Sequence, residues 1–262
     1  MKGTTPSALL SLSKQLGLED FDYNPKSDKT GLTPITVQND LNTDDEYVPY
    51  TTKALNWHTD GYYNHFNESI HSWLLHCDEP AKQGGENTFL DHEIAYILFN
   101  QQNKNILPLM DNITYTIPEN KKTGRKSVDG YVFSFENKYK KLHMRFTMRE
   151  NNIHWNENAV KEVDMLKEII KKSERYHVKY KLDYRQGVIT NNILHNRSSL
   201  LFPSLAPSAV TNNFDGFTCF IISNTFCVVS GRLNIRNRTG TVILIRLRPV
   251  IIHQYAHCSF IF

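Results

Sequence analysis

The sequence is short of cysteine, with four in 262 residues. That excludes a disulfide-built scaffold. It has no apolar run near the ~18 residues of a membrane span. Its first residues lack the length and small-residue cleavage site of a secretory signal. The expected setting is therefore a reducing cytoplasm, with no membrane partner. A formal net charge of +3 is too small for this length to argue for a nucleic-acid partner. Other shortages are local. No lysine lies beyond Lys181, and of 27 acidic residues only Asp215 falls after residue 200. Uniform composition would put about six acids there. Cys219, Cys227 and Cys258 lie in the same stretch. The chemistry of the chain therefore changes near Leu200. One reading is a buried, strand-rich half-sheet, which would be poor in charge. The other is a stretch that is not native coding sequence but a shifted reading frame or retained intron.

What is present is enough for one core. Forty per cent of the residues are hydrophobic and 11% aromatic, and no repeat, low-complexity tract or linker divides them. Residues 7–16 suggest a short helix, followed by an Asp/Asn/Pro-rich loop over 19–28. Ile70 to Cys77 is an apolar run of strand length. Asp91 is a good N-cap for a helix to about Asn100, with Ile94, Ala95, Leu98 and Phe99 on one face. Ile113–Ile117, Tyr131–Phe135 and Leu142–Thr147 read as strands. Residues 157–173 carry Val160, Val163, Leu166, Ile169 and Ile170 at helical spacing. Val178–Tyr184 and Val188–Leu194 read as strands around a Gln186-Gly187 turn. The pattern is mostly β with flanking helices.

Two His-x-Asp pairs stand out, His58-Thr59-Asp60 and His76-Cys77-Asp78. Strand periodicity of two puts both side chains of such a pair on one side. Two His and one carboxylate make a facial ligand set with open positions on iron. The bare motif recurs by chance, so context separates the pairs. His76 is expected to end a strand, with Asp78 opening an Asp-Glu-Pro turn. His58 and Asp60 precede Gly61, which permits an unusual dihedral, and sit among aromatics that could wall a dry pocket or pack a core.

The segment Leu55-Asn-Trp-His-Thr-Asp-Gly-Tyr-Tyr-Asn64 resembles the first metal motif of the taurine-dioxygenase-like (TauD/TfdA) family. Leu74-Leu-His-Cys77 followed by Gly84-Gly-Glu-Asn-Thr-Phe-Leu-Asp91 resembles its next element. Gly187-Val-Ile-Thr-Asn-Asn-Ile-Leu-His195-Asn-Arg197 resembles the strand bearing the distal metal histidine. Order and spacing agree over roughly residues 30–200. The resemblance implies a double-stranded β-helix (jelly roll), here expected to be incomplete at both ends. It implies Fe(II) on His58, Asp60 and His195, and 2-oxoglutarate touched by Thr88. It further implies oxidative decarboxylation of 2-oxoglutarate to succinate and CO2, with O2 consumed and a small-molecule C–H bond hydroxylated. Which small molecule, and whether the chain forms a homo-oligomer, it leaves open.

One part of the family pattern is missing. An Arg about 10–15 residues past the distal His pairs with the far carboxylate of 2-oxoglutarate, the task a bidentate guanidinium suits. Leu205 to Asp215 contains none, and the next is Arg232. Arg197 is too close to His195 to take that place. The expected organisation is a dioxygenase domain over 1–200 and an atypical tail over 201–262 in place of the closing strands. The alternative reading is a non-catalytic jelly roll or a defective gene product that cannot hold the cosubstrate. Arg145 and Arg149 are expected as outward-facing strand cations. Tyr62, Tyr63 and Trp73 are expected as core aromatics before a cation cage. Lys121, Lys122, Arg125 and Lys126 read as a solvated loop, and Cys77 as a small buried hydrophobe.

Overall fold

A computed structural model describes residues 6–16, 18, 27–37, 45–121, 123–136, 141–201, 218–224 and 242–244. The chain opens with helix α1 (Pro6–Gln15), strand β1 (Thr33–Thr36), β2 (Leu55–His58), β3 (Ser72–Glu79), β4 (Gln83–Gly84) and β5 (Asn87–Leu90). Helix α2 (His92–Gln102) leads to β6 (Tyr115–Ile117), β7 (Val128–Gly130), β8 (Phe133–Glu136), β9 (Lys141–Met144) and β10 (His154–Trp155). Helix α3 (Val160–Lys172) precedes β11 (Val178–Tyr180), β12 (Gly187–Thr190), β13 (Leu194–Arg197) and β14 (Leu200–Leu201). Two tail strands follow, β15 (Thr218–Asn224) and β16 (Val242–Leu244).

Two sheets matter for the site. One runs β1-β15-β3-β12-β16 and the other β11-β5-β13-β2. Trp73 and Cys77 of β3, Phe89 of β5 and Val188 of β12 form one buried cluster between them. The far side of the second sheet presents Leu90 and Leu194 to a larger cluster. That cluster includes Ala95 and Phe99 of α2 and Val163, Leu166, Ile169 and Ile170 of α3. Both helices fold where apolar residues recur every three or four positions. Asp91 caps α2 by accepting from Glu93 N at 2.8 Å. This is the β-rich jelly roll with flanking helices.

Several local readings shift. β3 runs on to Glu79, so His76 lies within a strand rather than ending one. Val188–Leu194 is two strands in different sheets, because Asn191–Ile193 carry the chain across the sandwich. Gly187 starts β12, and the turn before it closes by Gln186 N donating to Asp183 O. Arg145 is 1% exposed, not outward-facing. It follows β9 in a segment covered on both faces, and its guanidinium donates to Tyr62 O and Asn64 O. Tyr62 and Trp73 are core residues of separate clusters, as expected of packing rather than a cage. Cys77 is fully buried and free. The tail strand β15 lies between β1 and β3, antiparallel to both. Most of the 19–28 loop, Lys122, the Arg-free window 205–215 and Arg232 fall outside the described residues.

Candidate metal centre

β2 ends at His58, and its direct cross-strand partner on β13 is His195. Opposed residues of an antiparallel pair project from one face. Here that face is turned to the five-stranded sheet, since the His195 ring lies 4.8 Å from Trp73 of β3. The two imidazoles lie 4.2 Å apart, centroid to centroid. Asp60 follows in the turn after β2. Gly61 closes that turn at φ +67°, and a Cβ there would stand 2.8 Å from Ile70 Cδ1. A larger residue would meet both a strained backbone and a clash.

His58 Nε2 is 3.7 Å from Asp60 Oδ1, and His195 Nε2 is 3.9 Å from it. Neither distance is a hydrogen bond. The three side chains face a common point instead, with one ligand atom from each within 4.8 Å of the others. Each imidazole is oriented from behind. His58 Nδ1 donates to Asn56 O at 2.7 Å, and His195 Nδ1 donates to Ile193 O at 3.0 Å. Those bonds place the proton on Nδ1 and turn the Nε2 lone pair inward, as a metal-ligating histidine requires.

The electrostatics point the same way. Burial pushes both histidines down to about 4. For His58 the neighbouring His195 adds to this, and Arg149 contributes a smaller push in the same direction. Burial raises the Asp60 carboxyl, with His58 opposing. Asp60 Oδ2 is buried and has no hydrogen-bond partner. A buried orphaned carboxylate oxygen is costly. Two neutral imidazoles and such a carboxylate fit a divalent first-row metal.

Thr88 is not brought to this face. On β5, Phe89 opposes His195 and Thr88 opposes Asn196. By the pleat, Phe89 shares the triad's side and Thr88 takes the other, with Leu90 and its partner Leu194. The residue two positions before Phe89 is Asn87, which shares the triad's face and opposes Arg197. Asn87 is 7% exposed. The Gly-Gly-x-x-Thr spacing points to Thr88 and gives no sign of Asn87, and only the cross-strand register tells the two faces apart. Arg197 is engaged elsewhere. Its guanidinium donates to Pro49 O, Thr51 O and Lys53 O at 3.0–3.1 Å, tying down the segment before β2. His76 lies in the five-stranded sheet and does not join the triad.

The sequence profile of the taurine catabolism dioxygenase TauD, TfdA family matches residues 1–199. The chain belongs to that family of Fe(II)- and 2-oxoglutarate-dependent dioxygenases. The match stops where the composition changes. No curated protein matches the sequence. Among solved structures, asparagine oxygenase in complex with Fe(II), hydroxyasparagine and succinate is similar at TM-score 0.58 and 11% identity. That likeness covers 86% of this chain and 66% of that one. PvcB from Pseudomonas aeruginosa is similar at TM-score 0.55 and 11% identity, over 86% of this chain and 72% of that one. The oxygenase OrfP in complex with Fe and 2-oxoglutarate is similar at TM-score 0.54 and 12% identity, over 85% of this chain and 67% of that one. At these identities the likeness is one of fold.

Proposed function

We propose that this TauD/TfdA dioxygenase holds Fe(II) on His58, Asp60 and His195 and uses 2-oxoglutarate and O2 to hydroxylate a small molecule. The Asp60 carboxylate carries this reading: its Oδ2 is buried without a partner, and its Oδ1 lies 3.7 and 3.9 Å from the Nε2 atoms of His58 and His195. Bound iron supplies O2 activation and chelation of the cosubstrate. 2-Oxoglutarate leaves as succinate and CO2, and one oxygen atom enters a substrate C–H bond. The rest falls to the chain. His58 and His195 are neutral near pH 7 and lose no proton on ligation. Trp73, its ring tilted against that of His195, and Phe89 keep water from one side of the centre. Asn87, rather than Thr88, offers a polar group to the cosubstrate from the triad's face. Asparagine oxygenase and OrfP have been solved with hydroxylated amino acids. Amino acids and their derivatives are therefore the first substrates to try, in a cytoplasmic setting.

The 201–262 stretch belongs to the same proposal, as an atypical tail that takes the place of the closing strands of the family domain over 1–200. The absence of an Arg between 205 and 215 favours a second reading, a jelly roll that keeps the metal and has lost the cosubstrate. One experiment separates them. Fe(II)-loaded protein is mixed anaerobically with 2-oxoglutarate and its visible absorption recorded, then O2 is admitted and succinate measured. A new absorption band followed by succinate supports the oxygenase. Metal binding with neither signal supports the second reading, and no metal binding removes both.

A further inference from the structure

Three residues before His195 the chain turns a corner. β12 ends at Thr190 in one sheet, and β13 begins at Leu194 in the other. Asn192 makes the corner at φ +54°, a left-handed conformation that Asn accepts more readily than most residues. Its side chain is buried, with the residue 1% exposed. Oδ1 accepts from Asp60 N at 2.8 Å. Nδ2 donates to Asp60 O at 2.9 Å and to Ile70 O at 2.7 Å. Both donors and the acceptor of the carboxamide are thus engaged. Two of the three bonds grip the N–H and C=O of one residue, and that residue is the carboxylate of the triad. The third grips Ile70, whose side chain lies against Gly61 in the same turn.

Thr59 already fastens this turn to the opposite side. Thr59 N donates to Phe146 O, and Thr59 Oγ1 accepts from Phe146 N. The Asn192 clamp is therefore not the sole support of the turn. It adds the link between the ligand that follows β2 and the corner that launches β13. We propose that Asn192 is a positioning residue of the metal centre, holding the Asp60 main chain so that its carboxylate meets an ion shared with His195. This rests on the metal reading above.

The test uses Co(II) as probe on the full-length apo protein, following its ligand-field absorption. Asn192→Gly keeps the left-handed corner and deletes the clamp. Ile170→Val, fully buried in α3, serves as a stability control away from the site. Asn192→Gly is expected to bind Co(II) about 10–100-fold more weakly, with an altered spectrum. Ile170→Val is expected to melt earlier with unchanged affinity and spectrum. Wild-type affinity and spectrum in Asn192→Gly would overturn the proposal, as would equal weakening by Ile170→Val. If Asn192→Gly does not fold, Asn192→Asp, which loses both donors, is judged by its spectrum in the same way. Failure of the wild type to bind Co(II) would sink the metal reading and this proposal with it.

Discussion

The pleat of β5 sends two sequence neighbours to opposite sides of a sheet. Asn87 shares a face with Phe89 and His195, whereas Thr88 stands with Leu90. If 2-oxoglutarate lies on the triad's face, truncating Asn87 removes a contact and truncating Thr88 does not. Asn87→Ala is expected to raise the KM for 2-oxoglutarate about tenfold, the effect of roughly 1.4 kcal/mol. Thr88→Val is expected to stay within about twofold, since that change removes a hydroxyl from the other face. Steady-state succinate release measures both, and the reverse ranking would restore Thr88 to the site. The triad itself was legible as residue types at a spacing. The orienting bonds to Asn56 O and Ile193 O were not, because main-chain carbonyls carry no sequence signature.

At the scale of elements, caps and periodicities read well. Asp91 and the apolar stripes of α2 and α3 are where the sequence places them, except that Val160, in the first turn of α3, is exposed. Asp91→Ala is expected to cost about 1 kcal/mol through the lost cap, read as a lower melting temperature. An unchanged melting temperature would mean that burial alone starts the helix. Gly84 sits at φ +72°, and a Cβ there would fall 1.8 Å from Ser199 O. Gly84→Ala must therefore separate β4 from β14, and reduced yield or stability is the expected result. The segment from Leu142 to Thr147 misled because alternation assigns an outer face only where one exists. His143, Met144, Arg145, Phe146 and Thr147 are all buried. Arg145 consequently fastens Tyr62 and Asn64 near the metal turn rather than meeting solvent.

Over the whole molecule, two expectations concern stability. Burial, helped by the neighbouring His71, pushes His143 down to about 3. In the unfolded chain a histidine titrates near 6.5. Between those values the unfolded state binds the proton and the folded state does not. Stability from His143 is therefore complete above about pH 6.5 and falls as pH drops toward 3. The slope per such proton is about 1.4 kcal/mol per pH unit. Denaturant melts from pH 7 to 4 are expected to be shallower in pH for His143→Gln than for the wild type, and parallel curves would refute this. The second expectation concerns β15, which pairs with β3 from Ser72 to Glu79. Truncation after residue 200 strips that partner and exposes a sheet edge. Size-exclusion chromatography is expected to show aggregation, and a soluble, cooperatively melting 1–200 fragment would show that the family domain stands without the tail.

The sequence by itself determined the fold class, the family and the three residues that converge. Apolar periodicity is a local property, and a His-x-Asp pair with a distant His needs only spacing to be recognised. It also marked residue 200 as a change of composition, and the family match ends at 199. Tertiary structure alone decided which face each strand residue occupies, because register depends on the partner strand. It separated Asn87 from Thr88, turned Arg145 inward and engaged Arg197 on the 49–53 segment. It also joined Asn192 to Asp60 across 132 positions of chain. No sequence pattern announces a hydrogen bond between a carboxamide and a peptide so far away, since only the packing of two sheets brings them together.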